Sequence, residues 1–252
     1  MKKKTVYVGI VNLKGGVGKS VVTVITASIL HYLLKKKVAI IDADHPQYSI
    51  STMRERDTKM VESNTYYKEL FYRQYQRILK KAYPVETANP ASVMEVAERL
   101  TQIHDDLDVV FFDLSGSTNG EGILETILNL DWIFCPVIND RIVLQSSLSF
   151  IATVNQWLEV NKNAYPLHEP MVFWNKIDKR ENKGMYNIGN LMLKNLKIKK
   201  MKNEIIDTNK FKKELSASKE IFRSTLFPPN SSLLKGTGME QWVEEFCRII
   251  NI

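Results

Sequence analysis

The residues best suited to chemistry crowd near the start of the 252-residue chain: Lys14, Gly15, Gly16, Gly18, Lys19 and Ser20. Glycines let backbone N–H groups turn inward around an anion, and a helix N-terminus behind them adds partial positive charge. In that setting Lys19 reaches β- and γ-phosphates, and the Ser20 hydroxyl suits Mg²⁺. Val17 and Val21 belong to the same nucleotide-contacting stretch. The common phosphate-loop pattern G-x-x-x-x-G-K-[ST] fails at its first position, which is Leu13. What stands instead is K-G-G-x-G-K-S, with an additional lysine at Lys14. Three carboxylates join the candidates: Asp42, Asp44 and Asp113.

These groups need strands and helices of a particular order behind them. Val6–Val11 is a β-branched and aromatic run before the glycines, and Val21–Leu34 is an apolar helical run after them. Val38–Asp42 and Asp108–Asp113 are apolar runs ending in carboxylates, as strands buried on both faces do. Trp132–Val137 and Met171–Asn175 read as further strands, and Tyr83–Thr87 as a short one. Helical spacing predicts helices over residues 51–81, Ala91–Ile103, Val143–Val154 and Met239–Ile252. In residues 51–81 the recurring aromatics read as a face covering the core or a dimer surface. Leu191–Ser218 is basic and yields no assignment. Alternating strands and helices predict an α/β fold, a doubly wound, mostly parallel sheet with helices on both faces, in one domain over residues 1–252.

With those residues in view, the chain resembles the deviant Walker A ATPases of the ParA/MinD family, and Lys14 falls on that family's signature lysine. Asp42-Ala43-Asp44-His45-Pro46-Gln47 resembles the family's D-x-D-P-Q string with His45 inserted. Asp113 reads as Walker B, followed by Leu114-Ser115-Gly116-Ser117, where relatives carry prolines at the Ser115 and Gly116 positions. The resemblance implies that Ser20, Asp42 and Asp113 hold Mg²⁺ and that Asp44 orients the attacking water. It implies that Lys14 crosses an ATP-dependent homodimer interface to the partner's nucleotide, an arginine-finger analogue. Asn175 is expected to read the base, and Pro228 of Phe227-Pro228-Pro229-Asn230 to lie near the adenine. Asn175-Lys176-Ile177-Asp178 also matches the guanine-reading N-K-x-D pattern; the loop and the D-x-D-P-Q-like string favour ATP over GTP.

Charge narrows the partners. The formal net charge is +7, yet residues 176–213 alone hold twelve Lys or Arg against four Asp or Glu, so the rest of the chain sums to −1. A localised excess suits a polyanion. Lys194, Lys197, Lys199, Lys200 and Lys202 are candidates for sequence-independent DNA contacts, with Lys210, Lys212 and Lys213 as a second cluster. Two separated cysteines, Cys135 and Cys247, read as buried free thiols, and no C-x-x-C occurs. Met1-Lys2-Lys3-Lys4 precedes a phosphate loop and not a cleavage site, so a cytoplasmic, nucleoid-associated protein is expected. The leading expectation is a slow Mg²⁺-dependent ATPase that dimerises on ATP and positions or segregates a plasmid, chromosome or mobile element. A ParB-like or other centromere-binding protein would supply sequence specificity. A MinD-like membrane cycle would need a basic terminal helix, whereas Glu240, Glu244 and Glu245 face Arg248 alone. A dethiobiotin-synthetase-like ligase is the third reading. A bacterial tyrosine kinase would need a C-terminal tyrosine cluster, which the sequence lacks.

Overall fold

The computed structural model describes residues 4–116, 123–161, 163–181 and 183–252. Strand β1 (Val6–Ile10) breaks at the glycines and enters helix α1 (Lys19–Ser28), which continues through a wider π-helical turn over Ile29–Leu33. Strand β2 (Val38–Ala43) leads to α2 (Ser49–Ser63), α3 (Thr65–Ile78) and the short β3 (Val85–Thr87). Helix α4 (Val93–Ile103) precedes β4 (Val109–Leu114). There follow α5 (Ile123–Leu128), β5 (Trp132–Val137), α6 (Arg141–Val160), β6 (Met171–Trp174), α7 (Gly184–Asn195) and the two-residue β7 (Lys199–Lys200). A 3₁₀ turn at Asn209–Lys212 comes before α8 (Ser231–Leu234) and α9 (Met239–Ile250).

The described strands form one sheet in the order β3-β2-β4-β1-β5-β6-β7, and every pairing is parallel. Side chains alternate between the two faces, and each face carries its own core. On one, Ile41, Phe112, Cys135 and Trp174 pack with Val96, Leu100, Leu148 and Ile151 of α4 and α6. On the other, Ile40, Phe111, Phe134 and Phe173 pack with Val24 and Ile25 of α1 and Trp242 and Phe246 of α9. Strands β4, β2 and β3 lie on one side of β1 and β5, β6 and β7 on the other, so the loop leaving β1 sits where the winding reverses, and in such sheets ligands bind at that edge.

Several boundaries differ from expectation. Residues 51–81 form two helices because Asn64 starts a new one, its Oδ1 accepting the Tyr66 N–H at 3.0 Å. The anticipated Val143–Val154 helix runs from Arg141 to Val160, capped by Asp140, whose Oδ1 accepts the Val143 N–H at 2.8 Å. The basic segment without assignment holds the end of α7, β7 and the 3₁₀ turn. Ser117 and Lys2 and Lys3 lie outside the described residues.

Candidate functional site

The loop after β1 is set by one buried asparagine that the sequence pattern does not single out. Asn12 donates from Nδ2 to Pro136 O at 2.8 Å and Ser147 Oγ at 2.7 Å, while its Oδ1 accepts the Lys14 N–H at 2.8 Å. Gly16 and Gly18 then take φ values of 76° and 96°, in the left-handed region. At Gly18 a side chain is excluded twice, because a Cβ there would also lie 2.5 Å from Asn175 Nδ2. That nitrogen donates to Val17 O at 2.7 Å, and Lys176 Nζ donates to Gly16 O at 2.7 Å. The end of β6 therefore clasps the loop from outside. Helix α1 begins at Lys19 with no side-chain cap and no acid in its first turn, leaving its N-terminus to an anion.

A cavity of about 570 Å³ opens over this loop. Gly15, Gly16, Gly18, Lys19, Ser20 and Val21 line it, as do Asn175 and Asp44. Val17 is buried and is not among the lining residues; its carbonyl accepts from Asn175 Nδ2. Lys14 is half-buried and is not among the lining residues. Gly116 approaches Lys19 closely enough that a Cβ would stand 3.3 Å from its Nζ.

The two strand-end carboxylates sit side by side in register, Asp42 opposite Asp113, yet they differ in state. Asp42 Oδ2 accepts the Ile50 and Ser51 N–H groups at 2.9 and 2.8 Å, and its Oδ1 takes a longer 3.3 Å contact from the Asp44 N–H. Its carboxylate caps α2. Burial raises its pKa, and those N–H donors oppose the rise. Asp113 is fully buried, and among the described residues neither of its carboxylate oxygens has a hydrogen-bond partner. Burial pushes its pKa up to about 7; the Ser20 hydroxyl and the Lys19 charge oppose that rise, the hydroxyl without reaching hydrogen-bond geometry. A buried, unpartnered carboxylate beside a serine hydroxyl and other carboxylates is a donor set short of a cation. These residues fit Mg²⁺, with Asp113 and Ser20 as the stronger donors and Asp42 engaged largely by α2. Ser20 Oγ also accepts from Ser49 Oγ at 3.3 Å.

Pro228 is not among the residues lining the cavity. Its neighbour Phe227 packs against Tyr67 and Phe71 of α3, and Gln74 donates to Leu226 O at 2.8 Å, holding that loop on the α3 side. The far wall is built instead by Asp207, Thr208, Phe211, Lys212 and Arg223. The Asp207 N–H reaches Ile177 O at 2.8 Å, a contact between distant segments that no local pattern announces.

The basic segment is divided. Lys194, Lys197 and Lys202 are exposed, whereas Lys199 Nζ lies 2.6 Å from Glu169 and Lys200 4.0 Å from Glu204. Lys210 donates to Lys235 O, Lys213 pairs with Glu220, and Lys212 turns to the cavity. The fold assembles a further basic cluster that charge counting along the chain misses: Lys80 Nζ donates to the Lys35 and Lys36 carbonyls, joining Lys35, Lys36 and Lys37 to Lys80 and Lys81.

With this geometry in hand, the comparisons decide the family. Residues 8–221 match the profile described as the CobQ/CobB/MinD/ParA nucleotide binding domain. The chain belongs to this family. No curated protein sequence matches it. Similar folds include a putative plasmid partition protein of Borrelia burgdorferi B31, BB_S35, at TM-score 0.63 and 16% identity over 98% of this chain and 100% of that one. The MinD cell division protein of Aquifex aeolicus gives TM-score 0.57 and 17% identity over 98% and 97%. A ParA family ATPase of Chlorobium tepidum TLS gives 0.51 and 14% over 98% and 97%. The matched region, described as a nucleotide binding domain, includes the glycine loop.

Proposed function

We propose that the protein is a Mg²⁺-dependent ATPase that dimerises on ATP and binds DNA without sequence preference to position or segregate a DNA element. The unpartnered, buried Asp113 carboxylate beside Ser20 and Lys19 is the observation that carries the hydrolytic part. The triphosphate lies on the Gly15–Ser20 backbone and the α1 N-terminus, with Lys19 opposite its β/γ oxygens. Ser20 and Asp113 would hold Mg²⁺, which supplies charge neutralisation on those oxygens. Asp44 lines the same cavity, and its carboxylate makes no hydrogen bond or ion pair among the described residues, so it is free to orient a water. Lys14, outside the cavity wall, acts on a second copy's nucleotide. The Borrelia structure is bound to AMPPNP, an ATP analogue, which supports ATP here. So does Asp178: its carboxylate is engaged by Arg180 at 2.6 Å and is not among the cavity residues, leaving the N-K-x-D match without its base-reading acid.

The DNA part rests on the exposed Lys194, Lys197 and Lys202, with a centromere-binding protein as the partner that brings specificity. A membrane-anchoring terminal helix is disfavoured, because α9 places Met239, Trp242, Val243, Phe246 and Ile250 in the core. No helix among the described residues is long and apolar enough to cross a membrane. The test is size-exclusion chromatography and duplex DNA binding with ATP, with ADP and without nucleotide. The proposal expects an ATP-only dimer that binds DNA, and a Lys14→Ala protein that binds ATP but stays monomeric. A wild type that remains monomeric and DNA-free with ATP refutes it.

A further inference from the structure

The far wall of the cavity contains a cation that the phosphate loop does not account for. Arg223 lines the cavity, its Nη2 donates to Glu214 Oε1, and its Nε is buried without a partner. Glu214 Oε2 is taken by Arg56 Nη2 of α2 at 2.7 Å. Two guanidinium groups thus share one carboxylate, and one positive charge remains; Nε itself is enclosed by protein, so the exposed part of the Arg223 side chain is what the cavity meets. The backbone there is held firmly. The Arg223 N–H donates to Lys213 O at 2.9 Å. Next along the chain, Asp57 Oδ2 accepts from Ser224 Oγ, Thr225 N and Thr225 Oγ1 at 2.9, 2.7 and 3.0 Å. Arg54 adds bonds to Thr225 Oγ1 at 2.9 Å and Thr225 O at 3.1 Å. Such a pinned arginine, with charge uncompensated and its guanidinium at the cavity wall, is prepared for an acceptor on a ligand.

The location narrows which acceptor. The wall runs from Gly16 to Lys176 by the Lys176 Nζ bond, then by the Asp207 N–H to Ile177 O contact to the Asp207–Phe211 turn. Phe211 packs edge-on against Phe222, 4.9 Å between centroids, one residue before Arg223. Arg223 therefore stands across the cavity from the glycine loop. Phosphates seated on that loop leave the nucleoside half of the ligand to this wall. Ribose hydroxyls and ring nitrogens are acceptors of the needed kind. We propose that Arg223 grips the nucleoside half of the bound nucleotide and that Arg56 and Glu214 are positioning residues that hold it there. The inference rests on the nucleotide reading above.

Calorimetric titration of ATP, ADP and inorganic tripolyphosphate into wild type and into Arg223→Ala, Arg223→Lys and Glu214→Gln tests it. Arg223→Ala should weaken ATP and ADP alike, by at least about tenfold, the size of one hydrogen bond from a charged donor. Tripolyphosphate, which has no nucleoside, should bind as in wild type, which also shows that the variant is folded. Arg223→Lys should not rescue, because lysine has no Nε–H fork. Glu214→Gln should lose a smaller factor, about threefold, on ATP and none on tripolyphosphate. Unchanged ATP affinity in Arg223→Ala, or an equal loss on tripolyphosphate, overturns the inference and leaves the nucleotide site standing. A wild type that binds neither ATP nor tripolyphosphate overturns both.

Discussion

Replacing Asp113 by asparagine removes a charge without changing shape, and the consequence depends on pH. In the nucleotide-free fold the carboxyl pKa is raised to about 7 from 3.8, chiefly by burial. Between those values the unfolded chain has lost the proton and the native chain still holds it. The native state binds more protons, so its stability falls as pH rises from about 4 to about 7 and is level above that. At about 1.36 kcal/mol per pH unit the full loss is about 4 kcal/mol. Asp42 and Asp57 are raised by burial too and add slope of the same sign, but they are common to both proteins. The difference between wild type and Asp113→Asn therefore isolates Asp113. Urea unfolding from pH 4.5 to 8, with chelator and no nucleotide, should give similar stabilities at the acid end. The variant should be the more stable by a few kcal/mol at pH 8. Addition of Mg²⁺ and ATP should reverse the order, because the variant keeps only Asp42, already engaged by α2, beside the cation, and binding to the native state stabilises it. Parallel pH profiles, or an equal Mg²⁺-dependent gain in both proteins, would sink the assignment of Asp113 as the vacant donor.

Gly18→Ala should cost about 2–4 kcal/mol of stability and nucleotide binding, from a left-handed backbone plus the displaced Asn175 amide 2.5 Å from the new Cβ; a thermal melt indistinguishable from wild type contradicts this. Asp44→Ala should retain ATP affinity and lose turnover, accumulating an ATP-bound dimer on a sizing column; normal hydrolysis removes Asp44 from the mechanism. Lys194→Ala, Lys197→Ala and Lys202→Ala together should flatten the slope of log K against log salt by about 0.9 for each phosphate no longer neutralised. Lys199→Ala and Lys200→Ala should change it less, since Glu169 and Glu204 already oppose those charges; the reverse ranking refutes the division of the patch.

How much of this was legible in the sequence varies with the range of the interactions involved. The glycine loop was, because strand, turn and helix are adjacent in the chain and only glycine readily takes the φ values at Gly16 and Gly18. Strands β2 and β4 were, because their residues are buried throughout and read as unbroken apolar runs. The cavity wall of Asp207, Phe211 and Arg223 was not. The proline doublet at Pro228 and Pro229 is a conspicuous local signal, but Phe227 and Leu226 are claimed by α3, and tertiary contacts bring the unpatterned segment 207–212 to the cavity instead. Asn12 is a single polar residue after an apolar strand, and its three partners lie on the loop, β5 and α6. Charge counting over residues 176–213 summed lysines whose partners, Glu169 and Glu220, fall outside the window.

Asp42 and Asp113 show how equal residues in equal register come to do unequal work. Helix α2 starts at Ser49 with no side-chain cap and no acid in its first turn, and Tyr48 before it has φ 41°. Its first N–H groups need an acceptor, and Asp42 is within reach because β2 ends directly beneath. That bond fixes Gln47 and Ser49 at the cavity. Two turns on, Arg54, Arg56 and Asp57 of the same helix bond Glu214, Ser224 and Thr225, the residues that hold Arg223 in place. Helix α2 therefore links the cavity edge at Ser49 to the segment that carries Arg223, with a buried carboxylate at each anchorage. A displacement of α2 at Asp42 would carry Arg223 with it. Asp113 makes no such bond among the described residues, so in the proposed reading both of its oxygens serve the cation.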